Sequence, residues 1–146
     1  MAERKERVKE QIKDYALKHS AAHILASAVL SLYPKTQLAI GPPLEDGFYY
    51  DFGNLKISSE DLPKIEKKMQ EIINKDLKFG LSEVDKKKAE QLLKNQPFKL
   101  DILKEIKGKI TFYRHGDFID LCEGPHLSST KKIGAIKLTK ISGAYW

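Results

Sequence analysis

The sequence predicts an α+β domain in which a long N-terminal helix packs on a mainly antiparallel sheet, with further helices beside it. Three observations carry this expectation. First, Val8, Ile12, Tyr15, His19, Ala22, His23, Ala26, Leu30 and Tyr33 recur at steps of three and four residues, the spacing of one apolar helical stripe. Second, short β-prone runs further along are separated by compact turn signals, so neighbouring strands pair as hairpins. Third, helical and strand-like segments mix without the repeated βαβ period of a parallel sheet.

The first helix is expected from about residue 3 to 33, with charges opposite the stripe and Pro34 ending it. Its heavily charged first turns, residues 1–18, read as a helical connector continuous with a domain over 19–146. Gln37 to Gly41 is a short apolar run, and Phe48-Tyr49-Tyr50-Asp51-Phe52 is an aromatic strand candidate. Between them, Gly41-Pro42-Pro43-Leu44-Glu45-Asp46-Gly47 marks a turn. Ser58 or Ser59 caps a helix over roughly 60–75, with Ile65, Met69, Ile72 and Ile73 on its inner face. Leu77 to Val84 alternates as a strand, and Lys86 to Leu93 reads as a short helix. Phe98 to Ile106 reads as another, carrying Leu100, Leu103 and Ile106 inward. Lys109 to Tyr113 and Phe118 to Cys122 are strands around the turn Arg114-His115-Gly116-Asp117. Ile133 to Ile141 is a last strand, running into Ser142-Gly143-Ala144-Tyr145-Trp146.

A chain of 146 residues suits one domain with one core, and 41% hydrophobic residues argues against disorder. No stretch approaches the roughly 18 apolar residues of a membrane span, and the charged start has no secretory apolar region. A single cysteine makes no internal disulfide, so cytoplasmic residence is the simplest expectation. Lys and Arg outnumber Asp and Glu by 26 to 20, and the net +6 favours an anionic partner such as RNA. Lys131, Lys132, Lys137 and Lys140 form a basic edge that suits either phosphates or water.

Three of the four histidines and the sole cysteine fall in two short motifs. His19 and His23, four apart on a helix, share a face. Cys122 and His126 are likewise four apart, around Gly124-Pro125, whose bend would turn His126 back toward the cluster. The four have the right chemistry for tetrahedral zinc. They equally suit a metal-free acid–base site, and each alone can be a satisfied core residue. Composition does not choose among these. Asp120 alternates onto the side of Cys122 and could accept a hydrogen bond from a substrate hydroxyl or ammonium group. Lys99 interrupts an apolar segment, where a lysine usually marks a solvated face. Phe48, Tyr49 and Tyr50 suit a core or a base-stacking platform.

Together these residues resemble the editing domain, the second N-terminal domain, of bacterial-type threonyl-tRNA synthetases. The resemblance runs from about His19 to Trp146 and rests on HSAAH (19–23), LAIGPPLEDGFYYDF (38–52), PFKLDIL (97–103), DLCEGPH (120–126) and SGAYW (142–146). The two His/Cys motifs are shared with alanyl-tRNA editing domains and their free-standing relatives. The proline-rich segment beside DLCEGPH is the more specific threonyl-type signature.

The resemblance implies hydrolysis of the ester joining serine to the 3′-terminal ribose of threonine tRNA. It implies catalytic roles for His19, His23, Lys99, Cys122 and His126, and contacts from Asp120, Tyr50 and Gly41 to the aminoacyl-adenosine end. His19, helped by Lys99, would activate water. His23 or His126 would serve the leaving oxygen or the oxyanion, with Cys122 as a pocket wall. In the threonyl branch the pocket works without zinc, whereas alanyl relatives bind Zn2+ through residues matching His19, His23, Cys122 and His126. Expected partners are the acceptor end of seryl-tRNA(Thr) and the catalytic domain of a threonyl-tRNA synthetase. Editing is needed because one missing methyl gives a synthetic site only about 1–3 kcal/mol of discrimination against serine. The chain stops where an aminoacylation domain would follow and has no length for ATP binding, so an excised domain or a free-standing protein is expected. Two other functions stand beside this one: a zinc-dependent alanyl- or seryl-tRNA deacylase, and a non-catalytic acceptor-end binding module.

Overall fold

A computed structural model describes residues 2–41, 43–44 and 47–138, with side chains over 14–41 and 47–138. One uninterrupted helix, α1 (Ala2–Leu32), opens the chain and leads into an antiparallel hairpin. Its outer pair is β1 (Gln37–Leu38) with β4 (Phe52–Gly53), and its inner pair is β2 (Pro43–Leu44) with β3 (Gly47–Phe48). A 3-10 turn over Ser59–Asp61 then feeds α2 (Leu62–Asn74), and the Asp61 carboxylate accepts from the Ser58 backbone N–H at 2.8 Å. The three-stranded sheet β5 (Gly80–Val84), β6 (Ile110–His115) and β7 (Phe118–Leu121) is antiparallel throughout. Two short helices, α3 (Lys86–Leu92) and α4 (Pro97–Glu105), lie between β5 and β6.

The predicted α+β class and antiparallel pairing are observed. Ile65, Met69, Ile72 and Ile73 are the buried residues of α2 and pack on α1. Full burial of such side chains contributes about 1.5–3 kcal/mol each. They meet Ala21, Ile24, Ala28 and Val29 of α1, which lie beside the predicted stripe rather than on it. From Ala16 onward α1 is thus buried on two faces. The predicted stripe, with Ala22, His23 and Ala26 buried, looks toward the hairpin and sheet, while the alanine-rich face meets α2. Tyr15, expected on the inner stripe, is 42% exposed, lining the cleft edge-on to His19. A second cluster, Phe112 and Leu121 with Ala89, Leu93 and Leu103, joins the sheet to α3 and α4. Among described residues no helix is long and apolar enough to cross a membrane.

Four strand assignments shift. The Phe48–Phe52 run is split, because Asp51 turns its backbone to Ile40 and Ala39 (2.7 and 3.0 Å) between β3 and β4. Residues 77–79 do not join β5; they bond the 128–130 segment, through Phe79 N–H to Ser128 O (3.1 Å) and Thr130 N–H to Leu77 O (2.8 Å). The expected four-residue turn narrows to Gly116 and Asp117, so Arg114 and His115 finish β6. The expected last strand is not one over its described part. Thr130–Ile133 is a 3-10 turn, Gly134 takes φ 78°, and Leu138 N–H bonds the Glu66 side chain at 2.8 Å instead of a strand neighbour. Residues 139–146, which include Lys140 and the closing SGAYW, lie outside the described residues, as do Pro42, Glu45 and Asp46 of the hairpin tip.

Candidate active site

His19, His23, Lys99, Cys122, His126, Asp120, Tyr50 and Gly41 all line one cleft of about 320 Å³. Four parts of the fold deliver them: α1, the hairpin between β1 and β4, α4, and β7 with the bend after it. α1 presents His19 half-buried at the mouth and His23, 3% exposed, one turn deeper. α4 sends Lys99 inward, to 4% exposure, so the solvated-face expectation for a lone lysine does not apply here. β7 carries Asp120, and the bend after it returns His126 to the floor. A cis Gly124–Pro125 bond and a Gly124 φ of 80° make that bend, and a Cβ at Gly124 would meet the Tyr113 hydroxyl at 2.5 Å. At Gly41 a Cβ would collide with the Tyr50 ring, so glycine lets the hairpin backbone pass beside that tyrosine.

Lys99 Nζ lies 3.0 Å from Asp120 Oδ1, with side-chain exposures of 5% and 7%. The contact is ionic rather than a well-aligned hydrogen bond, since Oδ1 has no bonded donor of good geometry. Tyr50 OH donates to Asp120 Oδ2 at 3.0 Å, and its ring lies 5.5 Å from Lys99 Nζ. Burial, then the carboxylate beside it, pushes the Tyr50 hydroxyl well above its ordinary pKa, so it stays a donor.

A polar chain crosses the opposite wall. Leu127 N–H donates to Ser20 Oγ (2.9 Å), and Ser20 Oγ pairs with His126 Nδ1 (3.0 Å). His126 Nε2 pairs with Cys122 Sγ (3.1 Å), and Sγ lies 3.5 Å from His19 Nε2. Gly124 N–H also donates to Sγ, at 3.3 Å. One proton assignment serves all of these: serine donates to Nδ1, Nε2–H to sulfur, and the thiol to His19 Nε2. Burial pushes the Cys122 thiol up to about 12, so it remains a thiol at neutral pH. His19 is lowered by burial, opposed by the nearby Pro125 carbonyl and by Asp120.

His23 is held well below its ordinary value, first by burial and then by His126 and His115. Burial lowers His115 to about 4, and burial followed by His19 and His115 lowers His126 to about 3. All are neutral near pH 7. The unfolded chain binds protons at these positions near pH 6.5, whereas the folded chain resists until about 4 or 3. Stability is therefore fully present above about 6.5 and falls as pH drops toward 4, by about 3 kcal/mol for each such histidine. Urea titrations between pH 7 and 4 should show the midpoint falling, and His115→Phe should flatten part of that fall.

His19, Cys122 and His126 each offer one donor atom, and these atoms lie within 4.8 Å of one another. A thiolate and two imidazoles suit zinc and leave a tetrahedral position open for water. With Nε2 on a metal, His126 Nδ1–H would donate to Ser20 Oγ as its outer hydrogen bond, the reverse of the metal-free assignment. The residues fit such an ion. His23 is not in this group; its ring packs on Phe118, His115, Phe79 and His126.

Sequence reasoning missed Ser20 and His115. Ser20 sits inside the HSAAH motif, where a small polar residue facing the core was the available signal. His115 falls in the turn that the sequence predicts over Arg114-His115-Gly116-Asp117, which hides its place in the core.

A mixed α+β fold thus closes an HxxxH helix and a CxxxH bend over one small cleft. Residues 110–144, which carry β6, β7 and that bend, match the family described as the threonyl and alanyl tRNA synthetase second additional domain. Over 134 residues the chain is 52% identical to a threonine–tRNA ligase of Rubrobacter xylanophilus and 50% identical to one of Thermotoga petrophila, covering 90% and 88% of this chain. A threonine–tRNA ligase of Dehalococcoides mccartyi is 47% identical over 132 residues, 89% of this chain. The chain spans about a fifth of the length of these relatives: 21%, 21% and 23%. The chain belongs to the second additional domain family of threonyl and alanyl tRNA synthetases. Its similarity to threonine–tRNA ligases puts it with the threonyl members.

Proposed function

We propose that this cleft edits tRNA by hydrolysing the ester between serine and the terminal ribose of threonine tRNA, with the remainder of a threonyl-tRNA synthetase as its working partner. The observation that carries this reading is the closure of neutral imidazoles and a buried Lys99–Asp120 pair around one small cleft. A volume of about 320 Å³ is at the small end of ligand sites and suits an amino-acid ester on a ribose.

His19 is the base. Its Nε2 bears only the long contact to the Cys122 thiol, which a water can replace. It takes a proton from that water as oxygen attacks the ester carbonyl, then returns it to the departing ribose oxygen. The Lys99 ammonium stabilises the oxyanion, and Asp120 and Tyr50 hold lysine and ribose in place. Between the two imidazoles considered as further partners, His23 suits the oxyanion better, because both His126 nitrogens are engaged. Cys122 is a wall, since a buried thiol at about 12 is a poor nucleophile. Rapid acid quench during turnover should trap no acyl-enzyme; a trapped thioester would reverse that role.

The reading is tested by deacylation of seryl-, threonyl- and alanyl-tRNA with the purified chain. Serine ester hydrolysis with threonine spared supports it, and binding without hydrolysis supports an acceptor-end module instead. A second reading, zinc-dependent deacylation, is favoured by the His19, Cys122 and His126 donor group. Zinc held there would lower the pKa of a bound water. Stoichiometric metal in chelator-free protein, lost with activity in His126→Ala, would establish it.

A further inference from the structure

The geometry points to His115 as a positioning residue that fixes the tautomer of His23 from behind the cleft. His115 ends β6 with 2% exposure, and neither ring nitrogen has a hydrogen-bond partner. His23 is in the same condition: 3% exposed, with both nitrogens unpartnered. The two rings meet edge to face, with centroids 4.9 Å apart and planes at 76°.

The surroundings leave each ring little choice of partner. Among the described residues, the rings in contact with His115 are Phe79 (5.4 Å), Phe118 (5.2 Å) and His23, and of these His23 alone has a hydrogen-bonding group. His23 also touches Phe79, Phe118 and His126. His126 is already committed, through Nδ1 to Ser20 and Nε2 to Cys122. Among the described rings that touch His23, His115 is therefore the one with both nitrogens still open.

Each neutral imidazole carries one donor and one acceptor. A small ring rotation, or one buried water between the rings, pairs a donor on one with an acceptor on the other. The proton of His23 is then fixed on one nitrogen. His23 also lines the cleft, so on the editing reading the tautomer set by His115 fixes whether an N–H or a lone pair turns toward a bound ester. A phenylalanine would fill the same aromatic nest without setting that choice. The inference rests on the editing reading for its effect on rate, but not for its effect on the ring.

The test uses protein with 15N-labelled histidine, observed through long-range 15N–1H correlations, together with steady-state deacylation of seryl-tRNA. The wild type should show one tautomer at His23. His115→Phe should give mixed or reversed His23 signals and lower kcat about tenfold to a hundredfold, with KM little changed. Unchanged His23 signals in that variant overturn the proposal, even if kcat falls, because the loss would then be structural. If His115→Phe does not fold, His115→Asn and His115→Gln replace it, mimicking Nδ1 and Nε2 respectively. One of the two should keep the wild-type His23 tautomer and the other should lose it; identical His23 spectra in both overturn the proposal. If the wild type hydrolyses no ester, the editing reading fails, while the His23 signals still decide the role of His115.

Discussion

Lys99→Met is expected to abolish hydrolysis and to destabilise the fold by about 3–5 kcal/mol. Both losses have the same origin. Lys99 Nζ sits 3.0 Å from Asp120 Oδ1 in a place where each side chain is less than a tenth exposed, 5% and 7%. Methionine keeps the apolar stem but removes the charge, so the Asp120 carboxylate remains buried with the Tyr50 hydroxyl as its partner. A buried charge left alone is far more costly than the intact pair is favourable. Denaturant titration should therefore show a lower midpoint with an unchanged slope. The double variant Lys99→Met with Asp120→Leu should recover part of that stability, since neither charge then needs a partner while the Tyr50 hydroxyl loses its acceptor. It should recover no hydrolysis, because the cation facing the oxyanion is still missing, a loss of at least about a hundredfold. If Lys99→Met is as stable as the wild type, the pair is hydrated and the energetic argument fails. If it remains active, Lys99 does not serve the reaction.

Elements whose pattern is local were legible in the sequence. α1 follows from its apolar spacing and Pro34, and the inner face of α2 from four residues at helical steps. The Gly124-Pro125 bend follows from its residues, and so does the hairpin between Gln37 and Gly53. What needed tertiary information was illegible. Ile133 is apolar and β-branched, yet its burial against α1 and α2 ends in a 3-10 turn, because Gly134 and the Glu66 carboxylate claim the backbone that follows. The second buried face of α1 is built from Ala and Ile beside the stripe and shows no separate periodicity. At the site, HxxxH and CxxxH could be read as pairs but not as neighbours; 103 residues separate His19 from Cys122. Lys99 is the sharpest case. On a nine-residue helix a lysine points outward by default, and only Asp120, delivered by β7, makes its burial possible.

His19→Ala is expected to lower kcat by about 10²–10⁴-fold while leaving the fold nearly intact. The side chain is half-buried, and its contacts are a weak thiol bond, the nearby Pro125 carbonyl, and ring packing on His126 and Tyr15. The pH profile separates it from the other histidines. A general base works only when unprotonated, so activity falls as pH drops through its pKa. Burial lowers His19 from 6.5, so the wild-type rate should be flat near neutrality and decline on the acid side of that value. His126 is far lower, at about 3, and would place the decline in a range where the fold itself is already losing stability. An acid limb below 6.5, absent in His19→Ala and partly restored by added imidazole, therefore identifies His19 as the base. The same limb persisting in His19→Ala would move that role to another group in the cleft.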